Sequence, residues 1–237
     1  MSSLNQEAKT MKDSVTPSVE CQRALRETDD ALTCVLWRIE LALLVAFLVT
    51  LNLPLIFGAS TTALAFHPAP VRAGEWWRMF THPFVHVSWY HLVLDAVAFF
   101  LGYVELRERT FRERLLILAS SGAGSLLAAC WLAPAVVTQG LCGLSGIAHG
   151  LAALAGLEMF RHNEDRWLRA AGFACFAGVV GKGVIEAVTG QVMFASLHLG
   201  SLGTPIAVCH AGGVLGALIA WLAGSLFKKQ DVENTPV

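Results

Sequence analysis

Six long apolar runs, nearly free of charged residues, constrain this chain more than any other feature. A run of about 20 such residues crosses a bilayer as a helix. With 55% hydrophobic and 15% charged residues among 237, the chain has too little polar surface to cover a water-soluble globule. The pattern predicts an all-α, polytopic bundle of six transmembrane helices, at about residues 41–57, 91–104, 115–132, 144–160, 167–188 and 206–227.

The polar ends of the chain predict three parts. Residues 1–35 are expected to be a polar tail, residues 36–227 the six-helix membrane domain, and residues 228–237 a second tail. No short apolar core ending in a small-residue cleavage site precedes the first run. The first run is therefore interpreted as a retained helix rather than a signal peptide.

Lysine and arginine alternate between the two sides of the predicted bundle. One side holds the basic residues of both tails and of the loops at about residues 105–114 and 161–166, whereas the opposite loops carry only Arg72 and Arg78. The positive-inside rule then places both termini in the cytoplasm. No basic patch of the kind that binds nucleic acid is visible.

Three polar residues are expected at one shallow depth below the outer face. His91 and Ser145 begin the second and fourth predicted helices, and His210 lies about one turn into the sixth. An imidazole within reach of a serine hydroxyl takes its proton as the oxygen attacks a carbonyl. The pattern therefore predicts a catalytic dyad of Ser145 and His210. The alternatives are a serine bonded to its own helix and a histidine that only links two helices.

Glycines surround both members of this predicted dyad. Small residues four apart let transmembrane helices approach closely, so the fourth and sixth helices are expected to pack together. Backbone amides at the head of the fourth helix, including that of Gly146, have no acceptor in their own helix and are candidates to bind an oxyanion. The glycines expected at helix contacts are Gly143, Gly150, Gly212, Gly213 and Gly216.

Four sequence blocks, three of which match well, together resemble the rhomboid intramembrane serine proteases. They are Trp77-Arg78 in the first loop, His91-x-x-x-Asp95, Gly143-Leu144-Ser145-Gly146, and His210-x-x-Gly213. The resemblance spans about residues 41–227. It implies a serine endopeptidase with Ser145 as nucleophile and His210 as base, no carboxylate partner, no cofactor and no metal. Its expected partners are the lipid bilayer and membrane-anchored protein substrates.

Two positions depart from the rhomboid pattern. Asp95 stands where the family has an asparagine that donates to the oxyanion together with the histidine four residues earlier, here His91. An ionised aspartate cannot donate, so either Asp95 is protonated, or it holds His91 as a cation or in one tautomer and His91 donates alone. Cys209 replaces the alanine that usually precedes the helix-six histidine.

His149, four residues after Ser145, is similar to the rhombosortase branch of the family. That resemblance implies a protein of the bacterial inner membrane, with its active site toward the periplasm, that processes the C-terminal Gly-Gly sorting tails of exported proteins. His149 could equally be a packing residue. Three alternatives remain open: a rhomboid with broader substrates, an inactive relative that binds membrane clients, and a small transporter, which would place polar residues at the bilayer midplane.

The remaining histidines and cysteines have other expected roles. His82 and His86 are predicted to make loop contacts rather than bind metal, because no further ligand follows at a matching spacing. His198 competes with His210 for the role of base, and the glycines after His210 favour His210. Three cysteines toward the outer side leave a disulfide open: Cys130, Cys142 and Cys209.

Overall fold

The structure is a computed structural model that describes residues 19–106, 108–193, 199–201, 203 and 205–233. Of residues 19–30 and 226–233 it describes the backbone only. Within these residues all regular structure is helical apart from one isolated antiparallel bridge between Phe66 and Leu141. The predicted all-α class is confirmed for this part of the chain.

Nine α-helices occur in the described residues, and six of them are long. The three short helices lie in the connections, as do two 3₁₀ segments at Leu53–Phe57 and His82–Phe84. Each long helix lies at one of the predicted apolar runs. In chain order the helices are α1 (Val19–Asn52), α2 (Pro68–Arg72), α3 (Arg78–Thr81), α4 (Trp89–Val104), α5 (Phe111–Leu132), α6 (Val136–Gln139), α7 (Ser145–His162), α8 (Arg166–Thr189) and α9 (Val208–Glu233).

Four of the described helical segments are long and apolar enough to cross a membrane: Ala31–Phe57, Phe111–Leu132, Arg166–Thr189 and Val208–Ser225. A fifth is possible if Arg78–Phe84 and Trp89–Val104, bent by 90°, form one span. α7 is not among them, because His149, Glu158 and Arg161 interrupt its apolar sequence. Length and composition therefore support four or five spans rather than all six predicted ones.

The chain divides into two compact units, Met1–Phe47 and Leu48–Val237. In the first unit the described residues belong to α1, which begins at Val19, so the predicted N-terminal tail is helical from that residue on. The second unit contains α2 to α9 and all residues of the candidate site. Its last helix continues to Glu233, beyond the predicted end of the membrane domain.

Glycine allows close helix contacts in the second unit, where α9 packs against α5, α7 and α8. A Cβ on Gly213 would collide with the backbone of Gly146 on α7, and one on Gly216 with the backbone of Ser120 on α5. Gly212 likewise meets Gly124 of α5. The predicted packing of the fourth against the sixth helix is therefore present through Gly213, whereas Gly212 and Gly216 face α5.

Side-chain caps fix the ends of the helices that carry the site. Ser88 caps α4: its Oγ accepts from the backbone N of His91 at 3.1 Å and donates to the carbonyl of Ser201 at 2.5 Å. Asp165 caps the start of α8. Gly190, at φ 67°, ends α8 in the left-handed conformation that glycine adopts without strain. His91 thus lies in a fixed first turn.

Buried Arg78 organises the first loop. Its guanidinium donates to the carbonyls of Thr62 at 2.6 Å and Ala65 at 2.9 Å, and its Nε donates to Glu75 Oε2 at 2.7 Å. Several charge-assisted bonds to one side chain hold loop backbone that has no regular partners of its own. The Trp77-Arg78 block therefore has a structural role at the start of α3.

Candidate active site

One cavity of about 350 Å³ contains the residues that the sequence singled out for chemistry. Ser145, His210, His91, Asp95 and His149 all line it. Most of the remaining wall is aliphatic, and Lys182 adds a charged group. The other lining residues are Leu94, Ala98, Ala148, Ala152, Val179, Val192, Met193 and Pro205.

Three helix N-termini meet at this cavity. Ser145 is the first residue of α7, and His91 and His210 are the third residues of α4 and α9. Ser145 Oγ lies 4.0 Å from the Sγ of Cys209, the residue before His210. Among the described residues, no hydrogen bond joins Ser145 Oγ to His210 itself. The nucleophile candidate therefore lies beside the base candidate without touching it.

His210 has a carboxylate partner. The Oε2 atom of Glu186, in the last turn of α8, lies 2.6 Å from His210 Nδ1, and the Glu186 side chain is fully buried. The expectation of a dyad without a carboxylate is therefore wrong. This expectation failed because Glu186 lies on a helix that the sequence motifs do not include. The rotation of that helix turns Glu186 toward α9, and the periodicity of the sequence leaves this rotation undefined.

Lys182 and His149 complete this cluster. Lys182 Nζ lies 2.7 Å from Glu186 Oε1 and 2.9 Å from His149 Nε2. His149 Nδ1 lies 2.7 Å from the carbonyl oxygen of Ser145, so Nδ1 is the protonated nitrogen and Nε2 accepts from the ammonium. The rings of His149 and His210 stack with centroids 4.0 Å apart and planes 11° apart. His149 thus packs directly on the base candidate.

Three residues of this cluster could hold a metal ion. One ligand atom from each of His149, Glu186 and His210 falls within 4.8 Å of the others. The two imidazole rings stack in nearly parallel planes, however, so their in-plane lone pairs do not converge on one point as metal ligation requires. The Lys182 ammonium already bonds two of the three residues. The arrangement is complete as a hydrogen-bonded ion pair.

A second histidine–carboxylate cluster consists of Asp95 and His91, which line the cavity, and His86. Asp95 Oδ2 is 3.3 Å from His91 Nε2 and 3.4 Å from His86 Nε2. His86 is fully buried, and its Nδ1 lies 3.3 Å from Asn52 Oδ1, which also accepts from the His86 backbone N at 2.9 Å. Among the described residues, His91 Nδ1 and Asp95 Oδ2 are buried without a hydrogen-bond partner of good geometry.

A family model of the Rhomboid domain matches residues 73–230, more than half of the chain. The chain belongs to the rhomboid family. Members of this family are generally intramembrane serine proteases that act on membrane protein substrates within the bilayer. Together with the apolar helices, this membership makes the chain a multi-pass membrane protein. No match was found among curated proteins.

Three glycines of this rhomboid make close contacts in the described residues. Gly143, expected at a helix contact, precedes α7 at φ 103°, and a Cβ there would lie 2.8 Å from Asp95 Oδ2 and 2.9 Å from His91 Nε2. Gly146, expected to support an oxyanion, has its Cα against Ser125 and the Cys209 carbonyl. Gly150 does pack between helices, against Gly213 and Ala217 of α9.

The three cysteines that left a disulfide open are free thiols in this rhomboid: Cys130, Cys142 and Cys209. Burial, assisted by the charge of Asp95, raises the pKa of the Cys142 thiol to about 12. Because the thiolate is the reactive form, Cys142 does not compete with Ser145 as a nucleophile. The disulfide left open by the sequence is not formed between described residues.

Sequence reasoning missed Glu186, Lys182 and the buried position of His86 in this rhomboid. A signal for the first two was present, because Lys182 and Glu186 interrupt the fifth apolar run four residues apart. Ionisable residues within a span usually pair with each other and mark function. No comparable signal distinguished His86 from the other loop histidines. His198 lies outside the described residues.

Proposed function

We propose that this rhomboid is an intramembrane serine endopeptidase in which Ser145 is the nucleophile and His210 the general base. The observation that carries the proposal is the shared cavity at the heads of α7 and α9. The contact of Gly213 with Gly146 sets the distance between these helices, and Ser145 Oγ lies 4.0 Å from Cys209 Sγ. Rotation of the serine side chain and substrate binding would close the remaining gap, as catalytic hydrogen bonds often tighten only in the complex.

The proposed reaction follows the logic of serine acyl transfer. Ser145 Oγ bonds to the scissile carbonyl carbon as its proton passes to His210 Nε2. His210 then gives that proton to the leaving amine, the C–N bond breaks, and an acyl-enzyme remains. Water attacks the acyl-enzyme, with His210 again as base, and Ser145 regains its proton.

The oxyanion side is proposed to use His91 and the first-turn amides of α7. These amides have no acceptor within their own helix. His91 lines the cavity, and its Nδ1 has no hydrogen-bond partner among the described residues, which supports a donor role toward a developing negative charge. Asp95 lies 3.3 Å from the other ring nitrogen, which supports the alternative in which Asp95 holds His91, as a cation or in one tautomer, and His91 donates alone.

We further propose the six-span topology, with both termini in the cytoplasm and the site toward the periplasm of a bacterial inner membrane. The positive-inside pattern supports the orientation. The long helices at all six predicted runs support the count, with α7 held among its neighbours α4, α5, α8 and α9. In this position α7 has little contact with lipid and needs less apolar character than the outer helices.

The proposed substrates are exported proteins with C-terminal, membrane-anchored Gly-Gly sorting tails, as in rhombosortases. His149 supports this assignment because it lies beside the base and lines the cavity, a position from which it can affect specificity. A small, largely aliphatic cavity also suits glycine or another small residue at the scissile bond. Broader transmembrane substrates, or binding without cleavage, are the alternatives.

Co-expression with a protein bearing a Gly-Gly tail, followed by mass spectrometry of its C-terminus, tests the proposal. We expect a new C-terminus at the Gly-Gly tail with the wild-type chain and the intact tail with Ser145→Ala. A single-span protein without that tail is the comparison substrate. Cleavage of both proteins at equal rates would support the broader specificity, and cleavage of neither would support the inactive relative.

A further inference from the structure

We propose that Glu186 is the positioning residue of a serine–histidine–glutamate triad, with Lys182 holding the glutamate in place. The inference rests on the proposed function, because it assigns a role to the group behind the base. Its basis is the direct contact of a fully buried carboxylate with the imidazole that lines the cavity beside Ser145.

Three donors converge on the two oxygens of Glu186. His210 Nδ1 lies 2.6 Å from Oε2, while Lys182 Nζ at 2.7 Å and the backbone N of Met193 at 2.8 Å both lie near Oε1. Each oxygen therefore accepts from different donors. A carboxylate bound in this way cannot rotate without breaking at least one charge-assisted hydrogen bond.

The contact with Oε2 selects one tautomer of His210. Because the carboxylate accepts only, Nδ1 carries the proton and Nε2 presents its lone pair to the cavity. Only that nitrogen can then take the proton of Ser145. When the imidazolium forms, the negative charge of Glu186 stabilises it, which is the role of the carboxylate in serine protease triads.

Lys182 makes an ionised carboxylate tolerable at this buried position. The two residues are four apart on α8, so the ammonium lies over the same face as the carboxylate. A buried carboxylate without a counter-ion would take up a proton and become a donor at the wrong atom. His149 in turn accepts from Lys182 and stacks on His210, so it connects the ion pair to the base.

Glutamine is an informative replacement because it keeps the size of Glu186 and removes one acceptor. Its single oxygen cannot serve both His210 and the pair formed by Lys182 and Met193. The amide NH₂ must therefore face at least one donor. In a serine protease the equivalent change to the amide leaves the geometry intact but selects the wrong tautomer, at a cost of about 10⁴-fold in rate.

The test measures the rate at which a fluorophosphonate labels Ser145 in the full-length protein in detergent. We expect Glu186→Gln to lower the maximal labelling rate by roughly 10²–10⁴-fold and to leave the half-saturating probe concentration within about threefold. In the His210→Ala background the same change should have no additional effect, because Glu186 acts through His210. A maximal rate within about threefold of wild type, or full additivity with His210→Ala, would overturn the proposal.

Glu158→Gln is the matched control. Glu158 is a carboxylate on α7 that bonds Arg109 and, at 2.5 Å, Trp221 Nε1, away from the cavity lining. We expect the rate at which Ser145 is labelled in Glu158→Gln to remain within about threefold of the wild-type rate. An equal loss in Glu158→Gln and Glu186→Gln would assign both effects to general destabilisation and contradict the positioning role.

A measurement on the wild-type protein keeps the proposal testable even if Glu186→Gln does not fold. In ¹⁵N-histidine-labelled protein, the resonances missing from His210→Ala identify the His210 ring. At a pH high enough to keep this ring neutral, we expect the proton on Nδ1; a neutral ring protonated at Nε2 would contradict the triad. Failure of the proposed function would give a different result. The wild-type protein would have this tautomer of His210, but its Ser145 would not react with the probe.

Discussion

The two histidine–carboxylate clusters that line the cavity differ in how completely they are bonded. In the base cluster, Glu186 makes one short contact with His210 and binds a lysine and a backbone amide with its other oxygen. In the oxyanion cluster, Asp95 Oδ2 lies at 3.3 and 3.4 Å from two imidazoles, and His91 Nδ1 has no partner among the described residues.

This difference suits two different tasks. A general base needs one tautomer at all times, and a fully bonded carboxylate imposes it. A group that stabilises an oxyanion acts only when charge develops, so an unpartnered nitrogen on a residue that lines the cavity is suitable there. Unsatisfied buried polar atoms are uncommon in folded proteins. The two such atoms among the described residues, His91 Nδ1 and Asp95 Oδ2, belong to one cluster beside Ser145.

Removing the imidazole from each cluster should separate these roles most strongly. We expect His210→Ala, like Ser145→Ala, to lower substrate cleavage by about 10⁴-fold or more, and His91→Ala by about 10²–10³-fold. Cleavage of a tail-bearing substrate in membranes measures both. His198→Ala is the control and should retain activity; its loss, with His210→Ala active, would move the base to His198.

Crowding the oxyanion cluster should have the next largest effect. A methyl group on Gly143 would meet Asp95 Oδ2 at 2.8 Å and His91 Nε2 at 2.9 Å, so we expect Gly143→Ala to displace both side chains and lower the rate by about 10²-fold. Kinetics of cleavage on the folded variant give this number.

Gly74→Ala is the control for backbone strain. Gly74 has φ 107°, close to the φ 103° of Gly143, and nothing lies within 4 Å of its added Cβ. We expect it to cost stability, about 1 kcal/mol, without lowering the rate. If Gly74→Ala lowers the rate as much as Gly143→Ala, strain rather than contact with His91 and Asp95 explains the effect.

Changing the charge of the oxyanion cluster should have the smallest effect. We expect Asp95→Asn to lower turnover by about tenfold, because an amide holds the His91 ring less well than a carboxylate does. The comparison with Glu186→Gln, measured as the rate of fluorophosphonate labelling, is direct, since both changes replace a buried carboxylate by its amide. Retained or improved turnover would instead assign residue 95 the donor role that asparagine has in the family pattern.

The sequence predicted the elements better than the contacts between them. Apolar runs located all six long helices, although α1 begins at Val19, well before the start predicted at about residue 41, and the depth argument placed His91, Ser145 and His210 at three helix starts. The approach of Asp95 to His91 was also accessible, because residues four apart share a helix face. These features depend on local periodicity, which one sequence contains.

The contact between Glu186 and His210 could not be predicted in the same way. It joins α8 to α9 across 24 residues and depends on the rotation of both helices. These spans are apolar both on the side that faces lipid and on the side that faces the protein, so they are only weakly amphipathic. The sequence therefore leaves the rotation of each helix undetermined. Likewise, the spacing of Gly212, Gly213 and Gly216 could not show which pair faces α5 and which faces α7.

Active-site labelling is the direct test of whether Ser145 is the nucleophile and His210 its base. Purified, folded protein is treated with a fluorophosphonate, and the modified peptide is identified by mass spectrometry. We expect a single adduct on Ser145 in the wild-type protein. This adduct should be absent from Ser145→Ala and should form much more slowly in His210→Ala. A folded wild-type protein that remains unlabelled at Ser145, or that is labelled equally fast without His210, would contradict these roles.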